Sequence, residues 1–120
     1  MKALRYAKRL IAFNTTSHLS NAAISKYLEM KLTKHGFVVE KTGYVDKKGV
    51  RKVNIVAKKG GGYGGLAWFG HSDVVPAKRW FSKKFGPFEP AVARDRLYGR
   101  GSCDMKGQIA CMLEASQNFS

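Results

Sequence analysis

Leu66-Ala67-Trp68-Phe69-Gly70-His71-Ser72-Asp73-Val74-Val75-Pro76 is the stretch from which the architecture is inferred. Leu66 to Phe69 is apolar at every position, and a run buried on both faces is the pattern of a central strand in a covered sheet. Gly70 lets the backbone turn, and Pro76 stops the strand from resuming. His71 therefore falls just past the carboxyl end of the expected strand, where open α/β sheets put their ligand sites. A histidine with a carboxylate two residues later suits metal binding. One ring nitrogen can face a metal while the carboxylate holds the other N–H. The same spacing also fits a plain strand-end turn with a polar histidine, and alone it does not separate the two readings.

Upstream, Leu4, Ala7 and Ile11 fall at helical spacing, with Tyr6, Leu10 and Phe13 beside them, so Lys2 to Phe13 reads as an amphipathic helix. Asn14 to His18 is polar and turn-like. Ser20 is placed to cap a second helix carrying Ile24, Leu28 and Leu32, and Gly36 to close it after Lys34 and His35. Phe37–Glu40 and Val53–Ala57 read as strands, with a turn at Asp46–Gly49 between them. The glycines of residues 60–65 indicate a surface loop. Downstream come a Pro-rich aromatic loop, a short strand at Arg96–Tyr98 and a last helix over about Met105–Phe119. This order predicts an α/β fold, a mixed sheet flanked by helices, with no repeat and no internal domain boundary.

The chain has 120 residues and a formal charge of +14, from 22 Lys and Arg against 8 Asp and Glu. The basic residues are scattered in pairs such as Lys47-Lys48 and Lys83-Lys84, which describes a solvated face. A nucleic-acid-binding module draws support from this charge and from Trp68, Phe69, Trp80, Phe81 and Phe85, but no RNA- or DNA-binding signature accompanies them. Cys103 and Cys111 form no C-x-x-C pair, so a disulfide framework is not expected and a cytoplasmic location is. No apolar run reaches the ~18 residues that span a bilayer. Met1 to Ala12 contains no acidic residue, as a mitochondrial presequence would, but it reads equally as a folded helix.

The second chemical segment is Leu97-Tyr98-Gly99-Arg100-Gly101-Ser102-Cys103-Asp104-Met105-Lys106-Gly107. It sets the carboxylate of Asp104 at the mouth of the last helix, where an aspartate commonly caps orphan N–H groups. Its glycines lack the third member of a dinucleotide fingerprint, and no Gly-Lys-Ser/Thr phosphate loop exists. Cys103 reads as a small packing residue. His18 and His35, each alone, read as surface or cap residues.

Together the two segments form a recognisable pair. Gly-His-Ser-Asp-Val-Val-Pro at 70–76, Trp80, Gly86-Pro87-Phe88-Glu89-Pro90, and Leu97 to Gly107 resemble the co-catalytic zinc metallopeptidase family of aminoacylases, carboxypeptidases and deacylases. Phe13 to Ser17 followed by Ser20-Asn21 resembles that family's first helix and substrate-side loop. The form Ser102-Cys103-Asp104-Met105-Lys106-Gly107 is more similar to the acetylornithine deacetylase branch than to the succinyl-diaminopimelate desuccinylase branch.

The resemblance implies a zinc-exopeptidase-like catalytic domain of which residues 1–120 are an incomplete N-terminal portion. It implies His71 as ligand of one metal, Asp104 as bridge between two zinc ions (cobalt can substitute), and Asp73 as a catalytic carboxylate that orients His71. The implied reaction is removal of the acetyl group from N-acetylornithine, with desuccinylase, aminoacylase or dipeptidase activity as the alternative. The implied partners are a small N-acylated amino acid and a second copy in a homodimer, without nucleic acid or membrane. The family's general base, in a Glu-Glu pair, is expected downstream of Ser120, because no Glu-Glu pair occurs here. With two ligands for two metals and no base, the 120-residue chain is expected to be inactive alone.

Overall fold

A computed structural model describes residues 2–119. Helix α1 spans Lys2–Ile11 and helix α2 spans Ala22–Lys34. Strands β1 (Val38–Val45) and β2 (Arg51–Lys58) follow, then β3 (Ala91–Ala93), β4 (Arg96–Tyr98) and helix α3 (Lys106–Ser116). The expected helices are present, and the chain has the α/β character of a partial catalytic domain. The N-cap position of α2 is Asn21, one residue after Ser20, whose hydroxyl donates to Arg51 O at 2.7 Å and accepts the N–H of Ala22 at 3.2 Å. Gly36 adopts φ +88°, and Gly36 and Phe37 donate their N–H groups to Thr33 O and Leu32 O. This doubly bonded reversal satisfies carbonyls the helix leaves open.

The core forms where three helical stripes meet. Ala7 and Leu10 of α1, Ile24, Leu28 and Leu32 of α2, and Ile109, Ala110 and Leu113 of α3 make one buried cluster. β1 and β2 pair as an antiparallel hairpin, with Val39 opposite Ala57 and Gly43 opposite Val53. Val53, Ile55 and Ala57 turn toward the core while Asn54, Val56 and Lys58 face out, as period-two alternation requires. The Asp46 carboxylate closes the hairpin by accepting the N–H groups of Lys48 and Val50.

Leu66–Phe69 departs from expectation: it is an extended, exposed segment and not a strand. Leu66 is 89% and Phe69 86% exposed. A central strand needs a hydrogen-bonded neighbour on each side. Here β1 pairs with β2 and β3 with β4, and among the described residues none is left beside 66–69. The mixed-sheet character is reduced to these two antiparallel pairs and one parallel bridge, Thr16 with Val74.

Candidate functional site

Residues 14–17, expected from their pattern to be a polar turn and from the resemblance to be a substrate-side loop, are the scaffold of the His71 segment. Val74 N–H donates to Thr15 O and Ser17 N–H to Val74 O, both at 3.0 Å, while Thr15 Oγ1 donates to Ser72 O at 2.6 Å. Thr15 and Thr16 are buried, with Thr16 Oγ1 donating to Asn14 Oδ1 at 2.7 Å. Pairing of two polar residues with the distant Ser72–Val74 segment has no periodic signature, and for that reason pattern reading missed it.

The second segment reaches the first through glycine. Gly99 and Gly101 are buried, and a Cβ on Gly99 would strike Ile11 Cγ2. Gly101 has φ +85°, and its Cβ would lie 2.9 Å from Val74 Cγ1. The backbone can pass across α1 and Val74 only without side chains at these points. Lys106 N–H then donates to Gly101 O, opening α3. The N-cap position is Met105, so Asp104 is released from the capping role its sequence position suggested. The Asp104–Met105 peptide is cis.

Lys106 is an unexpected part of this frame. Its side chain is 0% exposed, and Nζ donates to Phe13 O at 2.6 Å, tying α3 to the end of α1. Burial lowers its pKa to about 8. Arg100 braces the other flank, its guanidinium 5.3 Å from the Trp80 ring centroid and Nη2 donating to Pro76 O at 3.2 Å.

These constraints bring His71, Asp73 and Asp104 together at an exposed surface. His71 Nε2 lies 3.0 Å from Asp104 Oδ1. On the other side of the ring, Nδ1 lies 3.1 Å from the backbone oxygen of Asp73 and 3.3 Å from its Oδ1. When Nδ1 carries the ring proton and donates to these acceptors, the Nε2 lone pair faces Asp104. Lone pairs facing one another at this distance repel unless a proton or a cation lies between them. An imidazole nitrogen with a carboxylate oxygen fits a zinc-class cation in kind. It supplies two of the roughly four positions such an ion takes, and among the described residues no cluster of three His, Cys, Asp or Glu forms.

Other expected residues lie elsewhere. Cys103 and Cys111 are free and exposed, so Cys103 does not pack into the core. His18 is exposed. His35 caps α2, as its position indicated, and joins the helices: Nδ1 meets Ser116 Oγ at 2.8 Å and Nε2 meets Tyr6 OH at 3.3 Å.

Residues 67–120, which contain both segments, match peptidase family M20/M25/M40. The chain belongs to this family. An acetylornithine deacetylase of Myxococcus xanthus is 42% identical over 112 residues, 91% of this chain and 29% of that protein. A succinyl-diaminopimelate desuccinylase of Rickettsia felis is 37% identical over 119 residues, covering 97% of this chain and 30% of that protein. A succinyl-diaminopimelate desuccinylase 1 of Alteromonas mediterranea is 40% identical over 116 residues, covering 97% and 28%. The chain thus spans under a third of the length of these curated relatives. Relatives of both names match, so the likeness leaves the acyl group open. Among the described residues no helix is long and apolar enough to cross a membrane.

Proposed function

We propose that this chain supplies one metal-ligand pair, His71 and Asp104, and the orienting carboxylate Asp73 to a zinc-dependent amide hydrolase. The convergence of His71 Nε2 and Asp104 Oδ1 at 3.0 Å, with Asp73 behind Nδ1, carries this reading. Zinc bound there supplies Lewis-acid polarisation of an amide carbonyl and acidification of a water. The protein's own part is to keep the His71 ring in one tautomer, aim Nε2, and set the Asp104 carboxylate within reach. In the whole protein the substrate is a small N-acylated amino acid, with N-acetylornithine giving ornithine and acetate in arginine biosynthesis. A cytoplasmic homodimer, in which His71 and Asp104 would be among the residues holding two zinc ions or cobalt in their place, completes the proposal.

Desuccinylation of succinyl-diaminopimelate is the second reading, favoured by the 37–40% identity of the Rickettsia felis and Alteromonas mediterranea relatives. The test compares kcat/KM of the whole protein on N-acetylornithine and N-succinyl-diaminopimelate. A preference for the acetyl substrate supports the deacetylase, the reverse supports the desuccinylase, and turnover of neither removes both. Zinc titration of the 120-residue chain tests the ligand pair directly. Binding is expected to weaken at least ~10-fold in His71→Ala, and an unchanged affinity would exclude His71 as a ligand.

A further inference from the structure

The hydroxyl of Ser17 is bonded to the carboxylate behind His71. Ser17 Oγ donates to Asp73 Oδ2 at 2.7 Å, while the other oxygen, Oδ1, lies 3.3 Å from His71 Nδ1. We propose that Ser17 is a positioning residue whose hydroxyl sets the rotation of the Asp73 carboxylate and, through it, holds the Nε2 lone pair of His71 toward Asp104. The inference rests on the metal-ligand reading of His71 for its purpose, but not for its geometry.

An aspartate needs such a device here. The terminal torsion of Asp is broad, with no deep staggered well, and the Asp73 side chain is 54% exposed. Water can therefore compete for both oxygens, and a carboxylate free to turn adds nothing to the backbone oxygen of Asp73, 3.1 Å from Nδ1, in holding the proton there. Ser17 is suited to prevent this because its own backbone is fixed. Its N–H donates to Val74 O at 3.0 Å, its carbonyl accepts from Lys52 Nζ at 2.7 Å, and the preceding Thr16 is buried and bridged to Val74.

The hydroxyl has a single proton, and two acceptors lie near it. Val74 O is 3.3 Å away, whereas Asp73 Oδ2 is at 2.7 Å and charged. Hydrogen bonds to an ionised acceptor are shorter and stronger, so the proton goes to Asp73. The same ladder that locks Ser17 also locks Val74, the residue after Asp73. Donor and acceptor are thus held to one frame, and the chain Ser17–Asp73–His71–Asp104 runs from that buried ladder to the exposed ligand pair. No other side-chain donor to Asp73 occurs among the described residues apart from His71.

The test reads the His71 tautomer by nitrogen-15 NMR of histidine-labelled 120-residue chain, metal-free, above the ordinary histidine titration range. In the metal-free wild type the proton is shared between Nδ1–H, facing Asp73, and Nε2–H, facing Asp104, and the ratio of the two forms is the readout. Ser17→Ala should lower the ratio of Nδ1–H to Nε2–H by about threefold or more, and Ser17→Thr, which keeps the hydroxyl, should restore it. Slow exchange of the Val74 amide reports that the ladder is intact. If Ser17→Ala does not fold, Ser17→Cys, of similar size and a weak donor, takes its place. An unchanged ratio in the hydroxyl-free variant, or an equal fall in the alanine and threonine variants, overturns the proposal. Zinc titration of the same samples reads the other question. A wild type that fails to bind zinc removes the metal reading and leaves the tautomer result to stand or fall alone.

Discussion

Replacing Gly101 by alanine should unfold the chain far more readily than a glycine replacement with the same backbone angle elsewhere. Gly101 has φ +85°, and a Cβ there would meet Val74 Cγ1 at 2.9 Å and Lys106 Cδ at 3.1 Å. Gly49, with φ +81° in the β1–β2 turn, has nothing within 4 Å of its Cβ position. The left-handed backbone costs an L-residue about 1–2 kcal/mol at either site. Overpacking against two buried neighbours adds about 1–3 kcal/mol at Gly101 only. The sum, about 2–5 kcal/mol, is a large share of the 5–15 kcal/mol of an ordinary domain. Urea unfolding followed by far-ultraviolet circular dichroism reads the difference. With a slope of about 1–3 kcal/mol per molar, Gly101→Ala should lower the midpoint by roughly 1 M or more and well beyond Gly49→Ala. Equal shifts in the two variants would show that close approach to Val74 does not hold the two motif segments together.

Further outcomes follow from the site and from His35. Asp73→Asn should weaken zinc binding by ~10–100-fold while shifting the unfolding midpoint little, because the side chain is half exposed; a large loss of stability with unchanged affinity would reverse its role. Burial first, and then Lys31, Lys59 and Lys34, lower the pKa of His35, so the unfolded chain binds its proton at higher pH than the folded one. Its contribution to stability is full above the ordinary value of 6.5 and declines as pH falls toward the lowered value. Thermal unfolding should therefore show a loss of stability on acidification through that range which His35→Gln diminishes, and identical profiles would refute this. The 120-residue chain alone should show no turnover of N-acetylornithine above buffer, since it offers His71 and Asp104 without a glutamate base. Measurable hydrolysis by homogeneous protein would overturn that expectation.

The helices and the β1–β2 hairpin were legible because their signals are local. Ile24, Leu28 and Leu32 repeat at one turn, and Val53, Ile55 and Ala57 alternate across one strand. Each pattern is enforced by the same geometry in the folded chain. Leu66–Phe69 shows the limit of such signals. Its apolar run states a capacity for burial on both faces, but the strand also requires partners, which composition does not supply. β3 was missed although its equally short partner β4 was read, because Ala91-Val92-Ala93 follows directly on the Pro-rich loop and reads as part of it.

For function, the residue types at 70–76 and 97–107 singled out His71, Asp73 and Asp104 as candidates only when the two segments were taken together as a family resemblance, since each alone also fits a turn or a helix cap. Tertiary structure alone decided that His71 and Asp104, 33 positions apart, lie 3.0 Å from one another. It also recruited Ser17, buried Lys106 against the end of α1, and released Asp104 from the helix cap. The physical reason is close approach. Gly99 and Gly101 admit the backbone to Ile11 and Val74, and the Thr15–Ser17 ladder holds Val74 in place, contacts that no local period encodes.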